Sequence, residues 1–418
     1  MNVHFRVIAR LTVLIALGIL LAPCLSRAQD MPAPLPLSGD EGRVSMPAIA
    51  STADQTAVAW CHENADEKKA ILLRTRNQLG KWSLPQSIYQ MQSPASCSDM
   101  AMQYDSANRL QLAWIVDYDG GSEIHYQVFI EGRWLRYEPI RTPSGLQAEN
   151  LSFHILPADG NERKNDSVFI AWQERTGSYY RIRSFVLDSG GLLHDVILAG
   201  EQTMAYVMYP DLVFLPAPSN DPDSGPRMGI SWFDLDADPV RLEFRSWNPE
   251  ESRWEVYSHA YNEQAASLIQ SMPLVASSVQ GGPYLLGNGE WNGFDQILLQ
   301  SPSRQAIPLN PAPATHNRFP VASNSSDLVI PFIWQREEAD AIYLVQGALH
   351  PAGAFAAARL APVDSYVPAE PDVCWADGAL QAVWIAMDQS GDDTGPVLYF
   401  QETPITVNDW RIIEEAGE

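Results

Sequence analysis

Met46-Pro47-Ala48-Ile49-Ala50, answered after a short polar turn by Ala57-Val58-Ala59-Trp60, is the stretch on which the fold turns. A short apolar run carrying a proline leads into a second apolar run that ends in tryptophan. The same cadence ends in Leu112-Ala113-Trp114, Ile170-Ala171-Trp172, Ile230-Ser231-Trp232, Phe332-Ile333-Trp334 and Ala382-Val383-Trp384. Between Trp232 and Trp334 the gap doubles, and Met272-Pro273-Leu274-Val275-Ala276 with Tyr284-Leu285-Leu286-Gly287 fills it as a copy without its tryptophan. The six intervals between Trp60 and Trp384 average about 54 residues, a period characteristic of a repeat architecture.

Each tryptophan is followed by a polar stretch and an alternating run, such as Ile71-Leu72-Leu73-Arg74, Ile124-His125-Tyr126-Gln127-Val128 or Val397-Leu398-Tyr399-Phe400. In four copies a second tryptophan then announces a last strand: Gly80-Lys81-Trp82, Gly132-Arg133-Trp134, Ser252-Arg253-Trp254 and Asn408-Asp409-Trp410. Four short strands per unit, repeated seven times, predict an all-β chain. The expected architecture is a seven-bladed β-propeller of four-stranded antiparallel blades, each burying its faces against its neighbours. The expected blades are residues 44–92, 93–143, 144–200, 201–262, 263–310, 311–363 and 364–418. Residues 29–43 read as a linker or an edge strand. The last copy looks complete at Trp410-Arg411-Ile412-Ile413, although Ala33-Pro34-Leu35-Pro36-Leu37 could instead add along that blade.

The proline-x-aliphatic run, the aliphatic-Ala-Trp ending and the Gly-x-Trp start together resemble the sialidase-like, BNR-type propeller superfamily over residues 44–416. Its Asp-box turn is nearly absent, Ser38-Gly39-Asp40-Glu41-Gly42 fitting only the first half. That resemblance implies carbohydrate chemistry, and for sialidases a carboxylate clamp of three arginines. The Arg-Ile-Pro opening is missing, and the nearest string, Tyr180-Arg181-Ile182-Arg183, lies mid-chain. No Gly-x-Ser-x-Gly, His-Glu-x-x-His or phosphate loop occurs. The reading therefore leans away from an enzyme, with a sialidase-like glycoside hydrolase as the alternative and a protein-docking scaffold as a second one.

Of 418 residues, 51 are acidic and 27 basic, a net charge of −24 that argues against a nucleic-acid binder. Residues 1–28 have a secretory layout: Arg6 and Arg10, an apolar run from Leu11 to Ala22, and Ser26-Arg27-Ala28 before a cut after Ala28. That run is too short to span a bilayer, and Pro23 before Cys24 departs from the lipobox of bacterial lipoproteins. A secreted or periplasmic monomer is expected, without a transmembrane segment in the mature chain. Cleavage removes three arginines and no acid, leaving −27. The stretches between expected second and third strands, 61–69, 115–123, 173–178, 233–239, 290–295, 335–340 and 385–395, carry 18 acids against 4 bases. One acidic face is therefore expected, either for solubility or as a mouth for a glycan or an extracellular protein.

Ligand candidates on that face are Glu174, Arg175, Glu290, Trp291, Arg336 and Glu337 from these stretches, with Tyr209, Tyr261, His316 and Arg318 from the connections between blades. Ten of the thirteen tryptophans occupy the two repeated positions, where they pack blade on blade. Trp291, in Gly289-Glu290-Trp291-Asn292-Gly293, does not, and an aromatic flanked by acids and amides suits a sugar ring. Asp234, Asp236 and Asp238 alternate like the first half of a calcium loop, but Pro239 stands where such a loop needs glycine. Cys61 and Cys97, near the same face of adjacent blades, are the candidate disulfide, with Cys374 left over in the mature chain.

Overall fold

The computed structural model describes residues 33–412 apart from 40–41, 159–164, 178, 201–204, 216–226, 238–240, 257–270, 277–283, 301–306, 310–314, 323–328, 339–340, 351–353, 361–365, 389–394 and 407–408. Every regular element among these residues is a strand. The strands form seven antiparallel sheets that follow one another along the chain. Sheet one holds Arg43–Ser51, Thr56–Glu63, Lys69–Arg76 and Gln86–Gln90. Sheet two holds Ser96–Tyr104, Leu110–Tyr118 and Gly121–Ile130, with Arg133–Arg136 and Ile140–Arg141 both paired to the third strand. Sheet three is Gln147–Leu156, Ser167–Thr176, Tyr179–Leu187 and Leu193–Ala199. Sheet four is Val207–Leu215, Arg227–Asp234, Arg241–Asn248 and Arg253–Val256.

Sheet five is Ser271–Ala276, Tyr284–Trp291, Phe294–Gln300 and Ile307–Pro308. Sheet six is His316–Ala322, Ile330–Glu338, Ala341–His350 and Ala354–Arg359. Sheet seven has Tyr366–Ala376, Ala379–Asp388 and Val397–Pro404 from the end of the chain. The first strand of each sheet lies against the first strand of the next, and that of sheet seven returns to that of sheet one. This closed ring of inner strands is a β-propeller.

The repeated tryptophans sit on the second strands and are shut off from solvent: Trp60, Trp114, Trp172, Trp232, Trp334 and Trp384 are each no more than 2% exposed. Each packs against the preceding sheet, Trp114 among residues of sheet one and Trp334 among Leu286, Ile297 and Leu299 of sheet five. A sheet cannot bury both faces alone, so the indole at this position is what joins neighbours. The proline of the cadence does not open the first strand but interrupts it. All seven first strands carry a bulge against the second strand, and Pro47, Pro210, Pro273, Pro320 and Pro371 lie in five of them. A residue without an N–H fits where the ladder is broken. The residues at four bulges, Met46, Asn150, Tyr209 and Glu370, have φ between 44° and 60°.

Ring closure takes the second of the two routes read from the sequence. Leu35–Pro36 pairs with the third strand of sheet seven, Leu35 opposite Phe400 and Pro36 opposite Tyr399, so the N-terminal segment supplies that sheet's fourth strand. Leu37 follows, 1% exposed, its N–H donating to the Leu398 carbonyl at 2.8 Å while Arg74 Nη1 donates to its own carbonyl at 2.7 Å. The segment after Trp410, expected to complete sheet seven, instead adds Arg411–Ile412 to sheet six beside Ala354–Arg359.

Candidate binding site

The turns between second and third strands and the connections into first strands share one end of the ring. Gly145 N–H donates to the Gly120 carbonyl at 2.8 Å, Met91 N–H to that of Lys69 at 2.9 Å, and Leu235 N–H to that of Tyr206 at 2.8 Å. The acidic stretches are less loop-like than expected, because all six second strands that carry the repeated tryptophan continue beyond it. Ten of the 18 acids lie on strands: Glu63, Asp117, Glu123, Glu174, Asp234, Glu290, Asp295, Glu337, Glu338 and Asp388. Of these ten only Glu174 is buried; the others, where described, are half-buried or exposed.

Six of the ten ligand candidates lie on strands of sheets five and six. Trp291 ends the second strand of sheet five, and the turn Asn292-Gly293 (φ 54° and 83°) returns the chain with Phe294 opposite it. Two successive left-handed residues make the tight turn that matches strand twist, which is why Asn-Gly stands there. Trp291 is half-buried and Glu290 exposed. Next along this hairpin, Asp295 offers both a backbone N–H (3.3 Å) and carboxylate Oδ2 (3.1 Å) to His316 Nδ1. Nδ1 accepts from the N–H when bare and donates to the carboxylate when it carries the proton. The imidazole meets the Phe294 ring edge-on, centroids 5.5 Å apart.

His316 pairs across the sheet with Glu337, and Asn317 with Arg336. Arg336 Nε donates to Asn317 Oδ1 at 2.8 Å, and Trp334 Nε1 donates to the same oxygen at 2.9 Å. Asn317 Nδ2 donates to Gln296 Oε1 at 2.8 Å, and Gln296 Nε2 to the Thr315 carbonyl at 2.8 Å. Asn317 and Gln296 are buried, and a buried network with its partners in place holds a guanidinium in one orientation. Arg318 lies on the same first strand; its side chain is outside the described residues. The corner thus brings the Trp291–Phe294 hairpin and Asp295 to His316, with the Arg336 guanidinium held by Asn317. Glu337 alternates with Arg336 and lies on the other face of its strand, the one from which Gln335 reaches the Pro368 carbonyl of sheet seven.

Three further candidates, Glu174, Arg175 and Tyr209, lie on sheets three and four without coming together: Glu174 is on the Trp172 side of its strand, facing sheet two, while Tyr209 of sheet four meets Gln173 on the other side. Glu174 is fully buried and accepts from Trp172 Nε1 at 3.2 Å and Arg183 Nη1 at 2.9 Å, with Arg181 also paired to it. Arg183 continues to Asp195, Nε to Oδ1 at 2.7 Å, and lies 5.5 Å over the Trp172 ring. This carboxylate is spent on two arginines and is closed to a ligand. Arg175 is engaged by Glu149 at 2.6 Å, and the Tyr209 N–H, left over at its bulge, donates to Gln173 Oε1 at 3.0 Å. Tyr261 lies outside the described residues.

The calcium reading gains no convergent donor set. Asp234 Oδ1 accepts from the Asp236 N–H at 3.1 Å and Asp236 Oδ2 from the Tyr206 N–H at 3.0 Å, so both carboxylates brace their own loop, and Asp238 lies outside the described residues. Among the described residues no group of three His, Cys, Asp or Glu side chains could hold a metal ion. Cys61, Cys97 and Cys374 are buried free thiols, and the first two share one apolar cluster.

Sequence reasoning overlooked the carboxylates of the inner strands. Asp372 accepts from Ile49 N–H at 2.9 Å and Val373 N–H at 2.8 Å; Asp99 accepts from Leu151 N–H at 2.7 Å and Met100 N–H at 2.9 Å. Glu370 accepts from Met46 N–H at 2.7 Å, and Ser152 Oγ from Leu212 N–H at 2.9 Å. In each case a side chain of one sheet receives a backbone N–H from the next, satisfying donors at or beside a bulge. Burial pushes Asp99 up to about 6 and Asp372 up to about 7. The signal was an acid beside the bulge proline, as in Glu370-Pro371-Asp372.

No family model and no curated protein matches the chain. Among solved structures, the polysaccharide lyase Uly1 is 9% identical, covering 90% of this chain and 100% of that one, with a TM-score of 0.46. A protein of unknown function from Dyadobacter fermentans DSM 18053 is 8% identical over 90% and 99% of the two chains, TM-score 0.47. The six-bladed fungal lectin of Aleuria aurantia is 10% identical over 78% and 97%, TM-score 0.41.

Proposed function

We propose that this chain is a secreted, seven-bladed recognition propeller, cut after Ala28, that binds a glycan or a glycan-bearing cell-surface partner. Its binding site is the corner between sheets five and six. The observation that carries this reading is the half-buried Trp291, outside the tryptophan repeat, on the hairpin whose Phe294 and Asp295 meet His316, next to the Asn317 that holds Arg336. An aromatic surface with a few positioned polar groups is the usual composition of a small-molecule or sugar site. Recognition is favoured over catalysis because Asp295 is tied to His316 and Glu174 to its arginines, which leaves them poor candidates for a paired acid and base.

A glycan array probed with the wild-type protein and with Trp291→Ala tests the reading. Wild type should bind a defined glycan class, and the variant should bind it about 10- to 100-fold more weakly, roughly 1.4–2.8 kcal/mol. Binding that survives the substitution unchanged removes this corner as the site. A sialidase-like glycoside hydrolase is the second reading, since the carboxylates Glu290 and Asp295 stand opposite each other on the hairpin. Turnover of a chromogenic glycoside that disappears in Asp295→Asn would establish it instead.

A further inference from the structure

Two thiols from different sheets meet at the end of the ring that carries the candidate site. Cys61 lies on the second strand of sheet one, immediately after Trp60, and Cys97 on the first strand of sheet two, just before that strand's bulge. They are 5% and 9% exposed and belong to one apolar cluster with Ile71, Met100, Trp114 and Val116. Ser45, directly opposite Cys61, belongs to the first strand of sheet one, which packs against the first strand of sheet two that carries Cys97. Cys97 Sγ reaches the Asp99 carbonyl at 3.6 Å. The third cysteine of the described residues, Cys374, is in the separate cluster between sheets seven and one.

We propose that Cys61 and Cys97 form a disulfide that joins the first two sheets covalently. One of the two thiols, as its thiolate, attacks a sulfur of a disulfide-bearing protein oxidant and expels one thiolate of that donor. The other then loses its proton and attacks the sulfur of the first, expelling the second. Two cysteine thiols are oxidised, one donor disulfide is reduced to a dithiol, and two protons and two electrons pass to the donor. Because both sulfurs are nearly closed to solvent in the folded ring, the bond forms before sheets one and two finish docking, and native protein resists reductant until it unfolds.

The test uses the full chain exported to an oxidising compartment, purified without reductant, denatured and alkylated, then digested for mass spectrometry. Cys374 should be alkylated, and the peptides bearing Cys61 and Cys97 should appear as one linked species lighter by two hydrogen atoms than their sum. Alkylated, unlinked Cys61 and Cys97 overturn the proposal, as does either one linked to Cys374. Melting provides the second readout: reductant added to unfolded and refolded protein should lower the wild-type midpoint by several degrees and leave Cys61→Ala/Cys97→Val unmoved. An equal response of the two proteins also overturns it. Neither measurement depends on any glycan, so this inference stands or falls apart from the binding reading.

Discussion

His154 shows how a single side chain can set a pH limit. It lies on the inner strand of sheet three, 1% exposed, with neither ring nitrogen partnered, and burial pulls it down to about 3. It is neutral in the fold, whereas in the unfolded chain it takes up a proton below about 6.5. The unfolded state thus binds more protons as pH falls through that value, and stability is lost progressively from there towards pH 3. His154→Leu removes this loss and the two orphaned nitrogens together. The variant should gain roughly 2 kcal/mol on wild type between pH 7 and pH 5, read from urea denaturation at both. A constant difference across that range would show the ring to be protonated or solvated in the fold. Nothing in the sequence around Phe153-His154-Ile155 signals this, because a histidine in an apolar run reads the same whether its nitrogens are satisfied or not.

At the scale of strands, the N-terminal segment matters more than its two paired residues suggest. Leu37 is sealed among Val44, Trp60, Val383, Leu398 and Phe400, residues of both sheets that close the ring. Around it, Arg76 Nη1 pairs with Glu402 at 2.5 Å, and the Trp82 ring meets Phe400 edge-on at 5.1 Å. Leu37→Ala should therefore cost about 3 kcal/mol, more than expected for a tail residue, through the lost methyls and the void left between sheets. An unchanged denaturation midpoint would mean that the N-terminal strand is dispensable for closure. The local devices are simpler and were visible as residue types: Asn77, Asp188 and Asn248 each accept backbone N–H groups two to four residues on, shaping the turn into the fourth strand. Short-range hydrogen bonding of this kind belongs to the segment itself and can be read without a fold. The extension of second strands past their tryptophans could not, since Glu174 in a strand needs Arg181 and Arg183 from the neighbouring strand to be neutralised.

The molecule as a whole is stitched by acids that its pH response should reveal. Asp372 and Asp99 stand above the ordinary carboxylate range because burial outweighs the N–H groups that they accept. The folded state then holds protons that the unfolded state has already released. Their contribution is complete below about pH 4 and is lost as pH rises to about 6 for Asp99 and about 7 for Asp372. Asp372→Asn should gain on wild type by roughly 2 kcal/mol between pH 5 and pH 8, whatever its offset from losing one acceptor oxygen. A difference that does not change with pH would place an ionised carboxylate in the ring at both values. The repeat, the all-β class and the buried tryptophans were legible in the chain alone, because a two-residue strand period and an aromatic recurring about every 54 residues are properties of the chain read locally. That residues 35–36 rather than 411–412 complete the last sheet, that Glu370 and Asp372 receive N–H groups more than 300 residues away, and that the Trp291–Phe294 hairpin meets His316 came from the folded ring. Those outcomes depend on which edges and donors the closed ring brings together, and hydrophobic periodicity records the need for a partner but not its address.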